Sequence, residues 1–179
     1  MLRLRPYKPA DAATILTWCK DEITFRRWTS DRYDHFPITA EDMNHKYLTL
    51  NGDCSESDNF YPFTAFDEDG LVGHLIMRYV DAAKKTLRLG FVIVDDIKRG
   101  RGYGKELLRL SLNYAFECFG AEVVNLGVFE NNPAAWGCYR AAGFRDVPRQ
   151  KKDICHVFGE TWTVAELEIN RAEWEARKG

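Results

Sequence analysis

The stretch Arg99–Lys105 contains three glycines that alternate with cationic and aromatic side chains. An apolar, strand-like run precedes it and a segment with helical periodicity follows it. Backbone N–H groups of the turn and the positive end of a helix dipole therefore point to one place, where an anion is stabilised. Glycines allow close approach of the backbone to a phosphate, and the flanking cations add charge. The stretch predicts a site for the pyrophosphate of a cofactor; the alternative is a plain turn with solvated cations.

Two common nucleotide-binding motifs do not match this stretch. A Walker A loop has glycine where Arg99 stands and serine or threonine where Glu106 stands, which disfavours hydrolysis of a nucleoside triphosphate. The dinucleotide-binding spacing G-x-G-x-x-G is also absent, because the three glycines are evenly spaced and Lys105 occupies the position of the last one.

The stretch resembles the cofactor-binding signature Q/R-x-x-G-x-G/A of the GNAT superfamily of N-acetyltransferases, which Arg99, Gly102 and Gly104 match. A second family element, N-x-x-A-x-x-x-Y followed by G-F, is matched further along the chain by Asn132, Ala135, Tyr139, Gly143 and Phe144. Both motifs occur in the family's order and on the expected elements, so together they are more specific than either alone.

The resemblance implies a cofactor, acetyl-coenzyme A (acetyl-CoA), and transfer of its acetyl group to a primary amine of a small molecule or protein by direct attack in a ternary complex. The implied cofactor-binding residues are Val92, Ile93, Val94, Arg99, Gly100, Arg101, Gly102, Tyr103, Gly104, Lys105, Asn132 and Tyr139. The alternative is a non-catalytic acyl-CoA-binding or sensing domain, which binds the cofactor without transferring the acyl group.

Attack of an amine on a thioester requires a base, an acid and a donor to the oxyanion. A lysine-like amine has a pKa of about 10.4 and must lose a proton, whereas the departing sulfur is better released when protonated. The resemblance implies Tyr139 as the acid and the backbone N–H of Val94 as the oxyanion donor. For Tyr139 the alternative is packing against the pantetheine arm.

Two residues are candidates for the base that removes the proton from the amine. Glu130 follows a buried strand, and its alternative is a solvated loop carboxylate. His74 is a second candidate that we also place near the substrate, although a hydrogen-bonded sheet histidine is the commoner outcome. Trp28 lies in the part of the chain that covers the acceptor in this family, with core packing as its alternative. Arg26 and Arg27 are candidates for contact with an acidic group of the substrate or for solvation.

The apolar periodicity predicts the elements that position these residues. They are an N-terminal strand, a helix from Asp11, a helix from Thr39 to near Asn51–Gly52, a hairpin of 60–66 and 71–79, a strand 86–94, a helix ending at Gly120, a strand 123–129, a helix 133–142, and strands 153–158 and 161–169. The stretch 25–36 predicts a loop or broken helix.

These elements predict an α/β (α+β) single domain over residues 1–179. The resemblance implies the GNAT fold, with a mixed central sheet of about six or seven strands and about four helices. Residues 1–85 then form the acceptor side, residues 86–144 the acetyl-CoA-binding core and residues 145–179 the C-terminal strands.

Composition limits the partners. The 25 basic and 27 acidic residues give a net charge of -2, so we expect neither nucleic acid nor a membrane surface as a partner. Five scattered cysteines form no metal-ligand or disulfide pattern. Met1–Arg5 alternates apolar and charged residues unlike a signal peptide, and we predict a cytoplasmic monomer or homodimer without a metal.

Overall fold

The structure, a computed structural model, describes residues 1–178 and is organised around one mixed sheet of eight strands. The strands are β1 (Arg3–Pro6), β2 (Tyr61–Asp67), β3 (Gly70–Tyr79), β4 (Thr86–Val94), β5 (Val123–Phe129), β6 (Arg145–Val147), β7 (Asp153–Val157) and β8 (Glu160–Asn170). Their order is β1-β2-β3-β4-β5-β8-β6, and β7 pairs with β8. Only the β4–β5 pairing is parallel among these described strands.

Six α-helices lie in the described chain: α1 (Asp11–Leu16), α2 (Glu22–Thr29), α3 (Ala40–Asn44), α4 (Tyr103–Asn113), α5 (Pro133–Ala142) and α6 (Arg171–Glu175). A π-helical turn extends α3 to Thr49, and another extends α4 to Cys118. None of the helices in residues 1–178 is long and apolar enough to span a membrane.

The predicted mixed α/β class, the hairpin, and the bounds of β4, β5 and α5 are confirmed. The predicted strand and helix counts were too low, because they omitted β6 and α6 and treated α2 as irregular. Asp21 begins α2 as a normal N-cap, accepting a hydrogen bond from the Thr24 N–H at 2.7 Å. The irregular segment predicted for 25–36 begins four residues after this N-cap, so the prediction did not include the start of the helix.

Side chains alternate between two cores on opposite faces of the sheet, as the strand period of two requires. Leu75 and Met77 of β3 pack with Leu108 of α4 in one core, whereas Ile76 of β3 packs in a second core with Trp28 of α2. The sheet is thus buried on both faces, which explains the nearly continuous apolar sequence of β4.

A bulge interrupts β4 near its middle. His74 pairs with Ile93 but Ile76 pairs with Gly90, so β4 contains one more residue than β3 over this interval. Phe91 occupies the bulge with a φ of 49°, and its carbonyl accepts a hydrogen bond of 2.7 Å from the Trp28 indole N–H. The bulge is therefore held from the α2 side of the sheet.

The parallel strands β4 and β5 separate beyond this point. Their pairing covers Thr86–Leu89 and Val123–Leu126, although the two strands continue to Val94 and Phe129. Backbone groups on the facing edges of the unpaired segments are left for another partner. The separation opens the sheet at the place where the Arg99–Lys105 turn begins.

Candidate active site

A cleft of about 1150 Å³ passes through the opening between β4 and β5. Its lining includes parts of the Arg99–Lys105 turn, the separated ends of both strands, α2 and α5. At the other end it is lined by the segment 52–60 and by residues 78–82 after the hairpin strand β3. The shape is that of a long site with two distinct ends, large enough for two ligands to meet.

The N-terminus of α4 presents free backbone N–H groups at one end of the cleft. Gly102 is the N-cap, with a φ of 85° and no side chain to cap the helix. The first helical hydrogen bond runs from the Glu106 N–H to the Gly102 carbonyl at 3.1 Å. The N–H groups of Tyr103, Gly104 and Lys105 precede that bond and have no helical acceptor. These residues fit a phosphate, because the donors and the helix dipole converge there.

Gly104 has a packing role that the sequence pattern did not reveal. A Cβ atom at this position would lie 2.9 Å from the Sγ atom of Cys138 on α5, closer than side-chain carbons pack. The glycine therefore lets α4 and α5 approach each other beside the cleft. Gly100, by contrast, has open space around it and a φ of 76°, so its requirement is conformational.

The predicted side chains of the turn separate into two groups. Arg99 and Lys105 line the cleft, and the Arg99 Nε donates a hydrogen bond of 3.2 Å to the Val94 carbonyl. Arg101 is exposed and is not among the lining residues. The Tyr103 hydroxyl donates to Asp67 at 2.8 Å, so that side chain is engaged by β2 and only its backbone remains available to a ligand.

Three more predicted cofactor residues, Val92, Ile93 and Val94, lie on the part of β4 that no longer pairs with β5, and they line the cleft. Asn132 lies on its opposite wall, where its side chain caps α5 by accepting a hydrogen bond of 3.3 Å from the Ala135 N–H. The Asn132 side chain thus has a structural role as the cap of α5, and a contact with a ligand would be an additional role.

Tyr139 lines the middle of the cleft from α5 and is only 8% exposed. Burial raises the pKa of its phenol well above the usual value, and the neighbouring Cys138 raises it further. The hydroxyl therefore stays protonated throughout the neutral and mildly alkaline range. A protonated phenol beside a ligand cleft can donate a proton to a leaving group.

The remaining predicted residues lie in three different surroundings. Trp28 lines the cleft and holds the β4 bulge. Glu130 is exposed at the end of β5, outside the lining, in an ion pair with Lys152. His74 is 0% exposed, lies outside the lining, and shares a hydrogen bond of 2.9 Å with the Tyr47 hydroxyl. Burial lowers the His74 pKa to about 3, so this imidazole is neutral at physiological pH.

Sequence reasoning missed Arg32, Arg78 and Arg88, which line the end of the cleft remote from the turn. Arg78 directly follows the core residues Ile76 and Met77 of β3, and it belongs to no sequence motif. Its position opposite Arg88 depends on the register between β3 and β4, which local sequence does not reveal.

Comparison with known proteins agrees with this geometry. A family model described as an acetyltransferase (GNAT) domain matches residues 1–145. Spermidine N-acetyltransferase from Vibrio cholerae, solved in complex with CoA and spermine, is similar with a TM-score of 0.79 and 18% identity, covering 97% of this chain and 98% of that chain. A chimera of the Vibrio cholerae enzyme and hSSAT has a TM-score of 0.76 and 18% identity, with coverages of 97% and 98%.

A mutant form of the Vibrio cholerae enzyme gives a TM-score of 0.77 at 16% identity and covers 99% of each chain. At such identities these structures show a shared fold, while the family model spans most of the sequence and includes the anion-binding turn and Tyr139. By these two findings, the chain belongs to the GNAT family of acetyltransferases, the family whose motifs it carries.

Proposed function

We propose that this chain transfers the acetyl group of acetyl-CoA to the primary amine of a small molecule, by direct attack in a ternary complex. The observation that supports this proposal is one cleft that connects the N-terminus of α4 with Tyr139 and continues to a separate polar end. The solved spermidine N-acetyltransferases, which share the fold, support a small amine as the acceptor class.

When bound, acetyl-CoA supplies an acetyl group activated as a thioester. In our proposal the N–H groups of Tyr103–Lys105 bind its pyrophosphate, and the unpaired edge of β4 binds its pantetheine arm. The Val94 N–H stabilises the negative charge that develops on the carbonyl oxygen. These groups are fixed before the ligand binds, because the bulge and the α4 N-terminus hold them in place.

The transfer forms one bond and breaks another. The amine nitrogen, once neutral, uses its lone pair to form the C–N bond, and the C–S bond breaks with its electron pair going to sulfur. Tyr139 donates its hydroxyl proton to that sulfur, and a base removes the extra proton from nitrogen. Glu130 is our proposed base, and its ion pair with Lys152 must open before the carboxylate accepts the proton.

A free-thiol release assay with acetyl-CoA and a panel of amines tests the function, with calorimetric titration of CoA alongside. We expect amine-dependent thiol release and acetylation of the amine by mass spectrometry. CoA binding without thiol release from any amine would instead support a binding or sensing domain.

A further inference from the structure

A pair of arginines faces the acceptor end of the cleft from two neighbouring strands. Arg78 of β3 and Arg88 of β4 are directly opposite each other in register, and both line the cleft. Like charges at directly opposite positions repel, since their Cβ atoms are only about 4.5–5.5 Å apart. Such a pair requires negative charge nearby, either from the protein or from a ligand.

The protein neutralises only one of the two. Both terminal nitrogens of Arg88 bind the Glu166 carboxylate of β8, which is itself buried. Arg78 is half-buried, and its guanidinium has no carboxylate within ion-pair distance and no hydrogen-bond partner among residues 1–178. Burial lowers the pKa of Arg78; the nearby Cys54 opposes this shift, and the charges of Arg88 and Arg32 add to it. The Arg78 guanidinium, still cationic at any physiological pH, thus faces the cleft without a counter-ion.

Arg32 adds a second uncompensated cation at this end. It follows α2, lines the cleft, and has no carboxylate partner within the described chain. Two acidic neighbours are already occupied: Asp53 pairs with Lys46 at 2.6 Å, and Asp81 accepts hydrogen bonds from the backbone N–H groups of the turn that precedes β4. Neither carboxylate lies within ion-pair distance of Arg32 or Arg78 among residues 1–178.

Two other carboxylates, those of Asp31 and Glu56, line the same end and have no cationic partner among residues 1–178. The end of the cleft thus presents free positive and free negative groups together. An acceptor with only positive charges would match the carboxylates but would be repelled by Arg32 and Arg78. An acceptor that carries an amine and an acidic group matches both.

We infer that the acceptor is an amine that also bears a carboxylate or phosphate group, and that Arg78, assisted by Arg32, binds that acidic group. The inference rests on the proposed function and specifies its substrate class. A planar guanidinium binds either anion through two parallel hydrogen bonds. It follows that this chain differs in acceptor chemistry from the polyamine-acetylating enzymes that share its fold.

The test compares amines that differ only in the acidic group. Thiol release is measured with amino acids and their amides, with glucosamine and glucosamine 6-phosphate, and with spermidine, using the wild-type chain, Arg78→Gln and the control Arg3→Gln. Arg3 is an exposed arginine of β1, outside the cleft lining. Thermal unfolding and calorimetric titration of CoA verify that each variant is folded and binds the cofactor.

For the wild type we expect kcat/KM to be at least about tenfold higher for one acid-bearing amine than for its neutral counterpart, as a charged hydrogen bond allows. In Arg78→Gln the kcat/KM values of the acid-bearing amine and its neutral counterpart should lie within about twofold of each other, because the charged hydrogen bond is lost. The affinity for CoA should be unchanged. In Arg3→Gln the ratio should remain at its wild-type value. Whichever matched pair shows the preference identifies carboxylate or phosphate as the group.

Equal rates for both members of every pair, a preference for spermidine, or an unchanged ratio in Arg78→Gln would each overturn the inference while leaving acetyl transfer intact. Failure of the proposed function has a different signature, because no amine would release thiol. In that event, calorimetric titration of the same pairs into the CoA-bound chain decides whether the acidic group is bound through Arg78.

Discussion

Tyr139 combines two properties at the residue scale that suit a general acid. It lines the cleft in which the α4 N-terminus lies, and burial keeps its phenol protonated well above its ordinary titration range. A residue that only packed against a ligand would need the ring but not the hydroxyl. Removing the hydroxyl alone therefore separates the catalytic role from the packing role.

For Tyr139→Phe we expect kcat to fall by about 10²-fold, in the range of general acid catalysis, with CoA affinity within about twofold of wild type because the ring remains. Thiol release and calorimetric titration measure the two effects. Tyr114→Phe, which alters a partly buried tyrosine outside the cleft lining, is the control. Unchanged turnover in Tyr139→Phe would remove this residue from the acid role.

Glu130→Gln tests the proposed base. If Glu130 accepts the proton, kcat in the thiol-release assay should fall by about 10²-fold or more. The carboxylate is exposed beside the cleft in an ion pair with Lys152, so proton transfer requires that this ion pair open. Lys152→Gln is the matched control, since it breaks the same ion pair but leaves the carboxylate. A decrease of equal size in both variants would show that the ion pair, not proton transfer, is what matters.

His74 should make the folded state sensitive to acid. Its pKa is about 3 in the folded chain and about 6.5 when unfolded, so the unfolded chain binds more protons between these values. Its contribution to stability is complete above about pH 6.5 and is lost as pH falls toward 3, at up to about 1.4 kcal/mol per pH unit. In His74→Gln the free energy of unfolding, measured with guanidinium chloride from pH 7 to 5, should fall less steeply. Parallel profiles would contradict the prediction.

At the element scale, the α4 N-terminus depends on one backbone conformation. Gly102 has a φ of 85°, and a Cβ there would meet nothing within 4 Å. A substitution at this position is therefore strained by its backbone and not by a steric clash, at a cost of about 1–2 kcal/mol. Relief of that strain would rotate the very N–H groups that we assign to the pyrophosphate.

For Gly102→Ala we expect KM for acetyl-CoA to rise at least about tenfold, as loss of charged hydrogen bonds predicts, and stability to fall by about 1 kcal/mol. Gly137→Ala is the matched control, because Gly137 lies within α5 with open space and no positive φ. Alanine there should stabilise the chain by about 0.5–1 kcal/mol and leave KM unchanged. Steady-state kinetics and denaturant unfolding measure both effects, and a wild-type KM in Gly102→Ala would refute the assignment.

At the scale of the whole molecule, α2 in the N-terminal half holds β4 in its bulged form. The Trp28 indole of α2 donates its hydrogen bond to the Phe91 carbonyl across the face of the sheet. The second core, which includes Ile76 and Ile93, buries the same side of β3 and β4. The helix α2 and the β4 bulge are thus directly connected.

In Trp28→Phe the Phe91 carbonyl loses its donor. We expect a loss of about 1–2 kcal/mol in the free energy of unfolding, together with a lower kcat/KM for acetyl-CoA because the β4 edge is less well held. Trp136→Phe is the control, since it removes an indole hydrogen bond to Asp146 on the outer side of α5. Denaturant unfolding and thiol release should separate the two variants; equal effects would argue against a special role for the bulge.

Much of the structure of residues 86–144 can be predicted from the sequence, because the signals for its elements are local. The apolar run of β4, the glycine turn and the amphipathic α4 are contiguous, and Asn132 and Gly143 mark the two ends of α5 by standard capping chemistry. The bounds of β4 and α5 were predicted correctly, whereas the single helix predicted to end at Gly120 is α4 to Asn113 followed by the π-helical turn to Cys118. By contrast, β6 has only three residues and is formed by its pairing with β8. No local sequence pattern predicts such a strand.

Which predicted residues meet the cleft was decided only by the tertiary structure. His74, on the face of β3 that carries Ile76, is enclosed by Tyr47 and Trp28, whereas Arg78, four residues later, faces the cleft opposite Arg88. A strand period of two assigns a face to each side chain, but burial along that face depends on what packs against it. Short-range propensity and capping act within a few residues, while register and strand separation are set by contacts between distant parts of the chain. For that reason the Arg99–Lys105 turn can be recognised in the sequence, whereas the arginine-lined end of the cleft cannot.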